Sequence, residues 1–108
     1  MGVIAVVTTV GTRDEARVMA RALVERKLVA CAQISEIESF YLWDGAVQNG
    51  PEFRLLLKTS EARYDAVEEA IRALHAYQLP AIYTQALTHV DAAYAQWVEA
   101  CTHQDGGP

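Results

Sequence analysis

The sequence predicts an α+β fold, an antiparallel sheet carrying helices, because its hydrophobic period switches between two and 3.6 along the chain. Three observations carry that prediction. A β-branched run, Val3 to Val10, precedes a helical pattern that starts at a capping box. A stretch of sixteen residues without Gly or Pro, Leu28 to Trp43, then meets a turn signal and a returning strand. A second helical pattern and a second β-rich run complete the order.

Val3 to Val10 reads as a strand buried on both faces and ends at Gly11. In Thr12-Arg13-Asp14-Glu15 the Thr12 hydroxyl can take an orphan helix N–H while Glu15 reaches back. Ala16, Met19, Ala20, Leu23 and Val24 then recur at helical spacing, so the helix should run to about Lys27. Leu28 to Trp43 is mostly apolar or β-branched and aromatic towards its end, and Asp44-Gly45 marks its turn. Asn49-Gly50-Pro51 is a second breaker, which predicts a wide turn or an irregular start to the return strand, Glu52 to Lys58. On that strand Phe53, Leu55 and Leu57 share one face, and Glu52, Arg54, Leu56 and Lys58 the other. Thr59 or Ser60 caps a second helix with the apolar stripe Tyr64, Val67, Ile71 and Leu74. Ile82 to Leu87 is the fourth strand. Thr88-His89-Val90-Asp91 is another capping-box pattern, and Tyr94, Trp97, Val98 and Cys101 form the face of a last helix. The order β-α-β-β-α-β with a C-terminal helix is the ferredoxin-like arrangement. Residues 1–103 are expected to form one such domain and 104–108 a disordered tail.

The central hairpin is too long for its domain. Sixteen residues at roughly 3.3 Å each span about 53 Å, whereas a compact domain of this length is about 34 Å across. The hairpin cannot fit on its own domain unless it bends, with Ser35-Glu36 as the place for a bend, and either way its aromatic end should project. A projecting ribbon bearing Phe40, Tyr41, Leu42 and Trp43 exposes apolar surface and unpaired edges, which points to docking between copies of the chain.

Composition narrows the function. The formal net charge of −5 in 108 residues argues against nucleic-acid or anionic-membrane partners, which need clustered Lys and Arg. No apolar run is long enough to span a bilayer. Two cysteines without a C-x-x-C pair suggest reduced thiols, and Met1 to Val7 lacks the form of a signal peptide, so the expected location is the cytoplasm.

Several residues could carry chemistry. Cys31 would be a soft-metal ligand as thiolate, or a small buried hydrophobe. His75, at the end of a helix and two residues from Tyr77, could be a metal ligand, a proton carrier or a cation favoured by the helix C-terminus. Glu52 and Lys58 stand six residues apart on one strand face; with Tyr41, Trp43 and Tyr77 they could line a cleft, or form a solvated face. Cys101 and His103 make only a two-ligand C-x-H pair. Arg13, Arg17 and Arg21 form a helical stripe that reads as a solvated face or an anion site. No phosphate-cradling, nucleophile-elbow or zinc-protease motif occurs, so the chain is read as a non-enzyme. Acylphosphatases share this element order and need an Arg after the first strand, near which Arg13 stands, but the Gly-rich loop of an anion cradle is missing.

Five segments together resemble the CutA family of divalent-cation-tolerance proteins. They are Arg26 to Ala32, Ser39-Phe40-Tyr41-Leu42-Trp43-Asp44-Gly45, Glu52 to Thr59, His75-Ala76-Tyr77-Gln78-Leu79-Pro80, and Tyr94-Ala95-Gln96-Trp97. The resemblance implies a homotrimer built through the long strands and a link to tolerance of copper and other divalent metals, Cu²⁺ being the implied ligand, bound weakly at inter-subunit clefts. It also implies a shape similar to nitrogen-regulatory signalling trimers, which leaves a small-molecule sensor or interaction scaffold as the alternative. The chain departs from the family at Pro80-Ala81-Ile82, where the usual run is Pro-Glu-Ile, and at Ala76, where Pro is usual. The change at Ala81 removes a carboxylate that could serve as an oxygen ligand.

Overall fold

In the computed structural model, which describes residues 2–103, the elements follow the expected order. They are β1 (Val3–Val10), α1 (Arg13–Glu25), β2 (Cys31–Trp43), β3 (Ala46–Ser60), α2 (Tyr64–Leu74), β4 (Ile82–Ala86) and α3 (Ala92–Thr102), with a 3₁₀ turn over Glu61–Arg63 before α2. The four strands form one antiparallel sheet in the order β2-β3-β1-β4. β1 is therefore paired on both sides, and its β-branched run is buried on both faces of the sheet. The tail 104–108 lies outside the described residues.

The sheet's two faces are covered unequally. Val6, Val10, Leu55 and Leu57 pack against Ala16, Met19 and Leu23 of α1 and Val67 and Ile71 of α2. On the other face Val3 meets Ala30 and Val98, with Tyr94 and Cys101 of α3 beside them. The apolar stripe of α2 and the inward face of β3 are those the periodicity predicts, and so is the stripe of α1 except at Val24, which is exposed because it lies at the margin of the buried face of Ala16, Met19 and Leu23.

The caps depend on more than local pattern. At α1 the Thr12 Oγ1 accepts from the Glu15 N–H at 3.1 Å, as the capping box foresees, while the Glu15 carboxylate reaches back to accept from the Thr12 hydroxyl at 3.1 Å, in place of the box's backbone N–H. The helix ends at Glu25, short of Lys27, because Lys27 adopts φ +59. Its N–H bonds to Val24 O, and the Leu28 N–H to Leu23 O, a Schellman closure with lysine where glycine is usual. Before α2 neither expected cap acts: Thr59 donates to Leu28 O at 2.7 Å, and Ser60 pairs with Thr102 at 3.1 Å. α3 is capped by Asp91, which accepts from the Tyr94 N–H at 3.0 Å, rather than from Thr88.

The hairpin differs most from expectation. β2 begins at Cys31, not Leu28, and is one unbroken strand whose pairing with β3 continues through Ser35 and Glu36. β3 begins at Ala46, and Gly50 and Pro51 sit in register opposite Ser39 and Glu38. Pro51 is two positions past Phe53, the last residue paired with β1, where one flank of β3 has no neighbouring strand and a missing N–H is tolerated. The turn is tight: Asp44 (φ +52) and Gly45 (φ +76) are both left-handed, the signature of a type I′ connection. The distal ribbon, Ile37–Trp43 with Ala46–Glu52, thus leaves the four-stranded sheet as two strands. The molecule extends 46 Å along its longest axis, with a radius of gyration of 14.7 Å, against about 13 Å for a compact chain of this length.

Candidate functional site

The ribbon and the segment joining α2 to β4 enclose a cleft. It is lined by Glu52 of β3, Phe40, Tyr41 and Trp43 of β2, and Tyr77 and Leu79 of the loop, and its volume is about 440 Å³. Strand register explains the strand contribution. Thr9, Glu52, Tyr41 and Trp43 lie on the sheet face opposite α1 and α2, on the alternate positions to Val10 and Phe53. α3 covers only the other end of that face, around Val3 and Ala30.

His75 positions the loop. As C-cap of α2 it leaves the helix with extended backbone (φ −84, ψ 138). Its Nδ1 accepts from the Tyr77 N–H at 3.1 Å. Nε2 therefore carries the ring proton of the neutral imidazole and donates to Thr9 O at 2.8 Å. The imidazole and the Tyr77 ring stand 4.9 Å apart between centroids. Both ring nitrogens are engaged, so a metal could reach His75 only by displacing the Thr9 or Tyr77 bond.

Tyr77 closes the loop onto the hairpin. Its hydroxyl donates to Glu52 Oε2 at 2.8 Å. Burial first, then donation to Glu52 and the nearness of that carboxylate, push its pKa well above the ordinary value of 10. The phenol therefore remains a neutral donor throughout the physiological range.

Of the residues singled out in the sequence, the structure gathers Tyr41, Trp43, Glu52 and Tyr77 at the cleft, with His75 behind them. Lys58 stands apart, about 20 Å along β3 from Glu52, and its ammonium donates to Gln33 Oε1 at 2.9 Å. Cys31 is paired across the sheet with Lys58, and its Sγ lies 3.6 Å from the Tyr94 hydroxyl. That contact, with burial, raises the Tyr94 pKa. Among the described residues no group of three or more His, Cys, Asp or Glu side chains is placed to hold a metal ion. The arginine stripe is partly neutralised: Arg13 pairs with Glu36 at 3.2 Å and lies 4.9 Å over the Phe53 ring, and Arg21 pairs with Glu25 at 3.2 Å. Arg13 thus belongs to α1 and its ion pair, not to an anion-binding loop.

Sequence reasoning missed Thr9 and Leu79. Thr9 acts through its carbonyl, which leaves no trace in residue type. Leu79 is 72% exposed beside the cleft, an apolar loop residue whose neighbour could have been suspected from its hydrophobicity.

A family model described as CutA1 divalent ion tolerance protein matches residues 4–101. The divalent-cation tolerance protein CutA of Thermococcus kodakarensis is 35% identical over 98 residues, covering 91% of this chain and 94% of that one. A chloroplastic CutA of Oryza sativa is 32% identical over 102 residues, covering 94% of this chain and 58% of that protein. Among solved structures, the divalent ion tolerance protein CutA1 of Ehrlichia chaffeensis superposes with a TM-score of 0.90 at 35% identity, covering 95% of this chain and 97% of that chain. The periplasmic divalent cation tolerance protein CutA of Archaeoglobus fulgidus gives 0.91 at 27% identity, covering 94% and 99%.

Proposed function

Because this chain belongs to the CutA1 divalent ion tolerance family, we propose that it serves divalent-cation tolerance as a homotrimer joined through the β2–β3 hairpins. In this reading it binds a divalent ion, copper foremost, weakly in clefts that two protomers complete. The observation that carries the assembly is the ribbon itself. Phe40, Leu42 and Val47 are each at least 68% exposed on it, and β2, thirteen residues long, is an edge strand with a free row of backbone donors and acceptors. Long, flat, apolar edges are what isolated proteins avoid and what strand-to-strand assembly consumes. The metal part needs the second protomer, since the donors of one chain are scattered: Cys31 lies against α3, and His75 is bound to the loop.

The chain then acts as a binding protein and not as an enzyme. It works in the cytoplasm as a single ferredoxin-like domain over residues 1–103, without nucleic-acid or membrane partners. No helix among the described residues is long and apolar enough to cross a membrane. Light scattering tests the assembly: a trimer of the 11.9 kDa chain has a mass of about 36 kDa. Calorimetry with Cu²⁺ tests the metal. Weak heat that disappears in His75→Ala supports the site, and heat unchanged by that substitution removes His75 from it.

The cleft of about 440 Å³ favours a second reading, a small-molecule sensor or interaction scaffold. Its size and aromatic lining are those of a site for an organic ligand rather than for a bare ion.

A further inference from the structure

The cleft has one charge and much aromatic surface. Among its lining residues Glu52 alone is charged; the rest include Phe40, Tyr41, Trp43, Tyr77 and Leu79. Glu52 is half-buried, and its Oε2 receives the Tyr77 hydroxyl. Oε1 has no hydrogen-bond partner among the described residues. No cationic side chain among the described residues pairs with it either. Arg54 is the next residue on its strand face, yet it forms no ion pair with Glu52. Because Tyr77 holds its proton, it stays a donor to Glu52 and adds no second negative charge.

A partly desolvated carboxylate without a counter-charge favours a cation, and the lining decides which kind. A divalent metal needs several oxygen, nitrogen or sulfur ligands in a defined geometry, usually with more than one anionic donor; here a single carboxylate stands with phenols and the neutral side chains of Thr9, Ser39 and Gln78. An organic ammonium ion needs one opposing carboxylate, while its alkyl groups gain from aromatic faces that attract positive charge within about 6 Å of the ring centre. We propose that the cleft between the hairpin and the 75–81 loop binds a small organic ammonium ion, its charge against Glu52 and its alkyl groups among Tyr41, Trp43, Tyr77 and Leu79. The proposal rests on reading this cleft as a ligand site and does not depend on copper; the hairpin that walls it is also the one through which protomers would join.

The test uses the full chain with Trp97→Phe, which leaves Trp43 as the one indole of the sequence. Trp97 lies on α3 against Tyr94, away from the cleft. Choline chloride is titrated while Trp43 fluorescence is read, in parallel with choline's uncharged isostere, in which a quaternary carbon replaces the nitrogen. The expected result is saturable binding of choline, with the isostere at least about tenfold weaker, the order expected for losing one charge-assisted contact. Glu52→Gln, which keeps the side chain's shape, should weaken choline by about the same factor and leave the isostere unchanged. Equal binding of the two probes, indifference to Glu52→Gln, or no saturable signal from a protein whose circular dichroism is native would each overturn the proposal. Light scattering on the same samples separates it from the assembly. A monomer that binds choline refutes the trimer alone, and a trimer that does not refutes the ammonium site alone.

Discussion

The hydroxyl of Tyr77 donates to Oε2 of Glu52 at 2.8 Å, and this bond ties the loop after α2 to the root of the hairpin. The two residues are 25 positions apart in the chain, and His75 sets up the contact by accepting from the Tyr77 N–H.

Replacing Tyr77 by Phe removes the bond and keeps the ring. The Glu52 carboxylate then regains water, so the cost should be about 1 kcal/mol, the lower part of the range for hydrogen bonds to charged groups. Denaturant unfolding checks it, with the midpoint shifted and the slope unchanged. The same variant tests the pH dependence. The folded pKa of Tyr77 lies above its ordinary value of 10, so above about pH 10 the unfolded chain loses this proton while the folded chain keeps it. Stability from this group is complete below pH 10 and falls as pH rises towards the folded value. Tyr77→Phe should therefore flatten part of the alkaline decline, while Tyr64 and Tyr94, whose pKa values are also raised, maintain the remainder.

His75→Ala removes both of the ring's bonds at once. The Tyr77 amide loses its acceptor and the loop its anchor on Thr9 O. Hydrogen exchange at the Tyr77 amide should accelerate by at least about tenfold, while amides in β1 retain their protection. Uniform acceleration across the sheet would mean that the imidazole supports the whole fold instead.

The hairpin tip should determine the oligomeric state. Phe40 and Leu42, 68% and 73% exposed, sit on alternate positions of the same strand face. Replacing both by Glu places like charges in any interface that buries them. The mass by light scattering should fall from that of the assembly to 11.9 kDa, with far-ultraviolet circular dichroism unchanged.

Thr8 offers a stabilising substitution. Its hydroxyl is fully buried and has no hydrogen-bond partner among the described residues. Valine has the same shape without the polar atom, so Thr8→Val should raise stability by about 1 kcal/mol. A thermal melt shifted upward checks it, and a lower melting temperature would show that the hydroxyl has a partner such as a buried water.

Much of the architecture was legible because its causes are local. The β-branched run at Val3–Val10, the stripe Val67-Ile71-Leu74 and the Thr12-to-Glu15 box act within one or two turns of chain, and so they appear in spacing and residue type. Asp44-Gly45 predicted the turn for the same reason, since few residue types accept two successive positive φ values. The errors arose where a neighbour decided. Asn49-Gly50-Pro51 looks like a break, but the pairing with Glu38 and Ser39 holds it extended, and the open flank forgives the proline. Asp91, the last residue of the Thr88-to-Asp91 pattern, is itself the cap of α3, because its carboxylate is the one that meets the Tyr94 N–H.

The site divides along the same line. By itself the sequence determined the aromatic tip, the His75-to-Tyr77 loop and the alternation that puts Glu52 on one face of its strand. Only the tertiary structure decided that Tyr77 would meet Glu52, that His75 would spend both nitrogens on Tyr77 and Thr9, and that Lys58 and Cys31 would lie away from the cleft. The physical reason is range. Periodicity and turn chemistry act over a few residues, whereas the bond from His75 to Thr9 spans 66 positions and exists only once β1 and the loop after α2 are packed together.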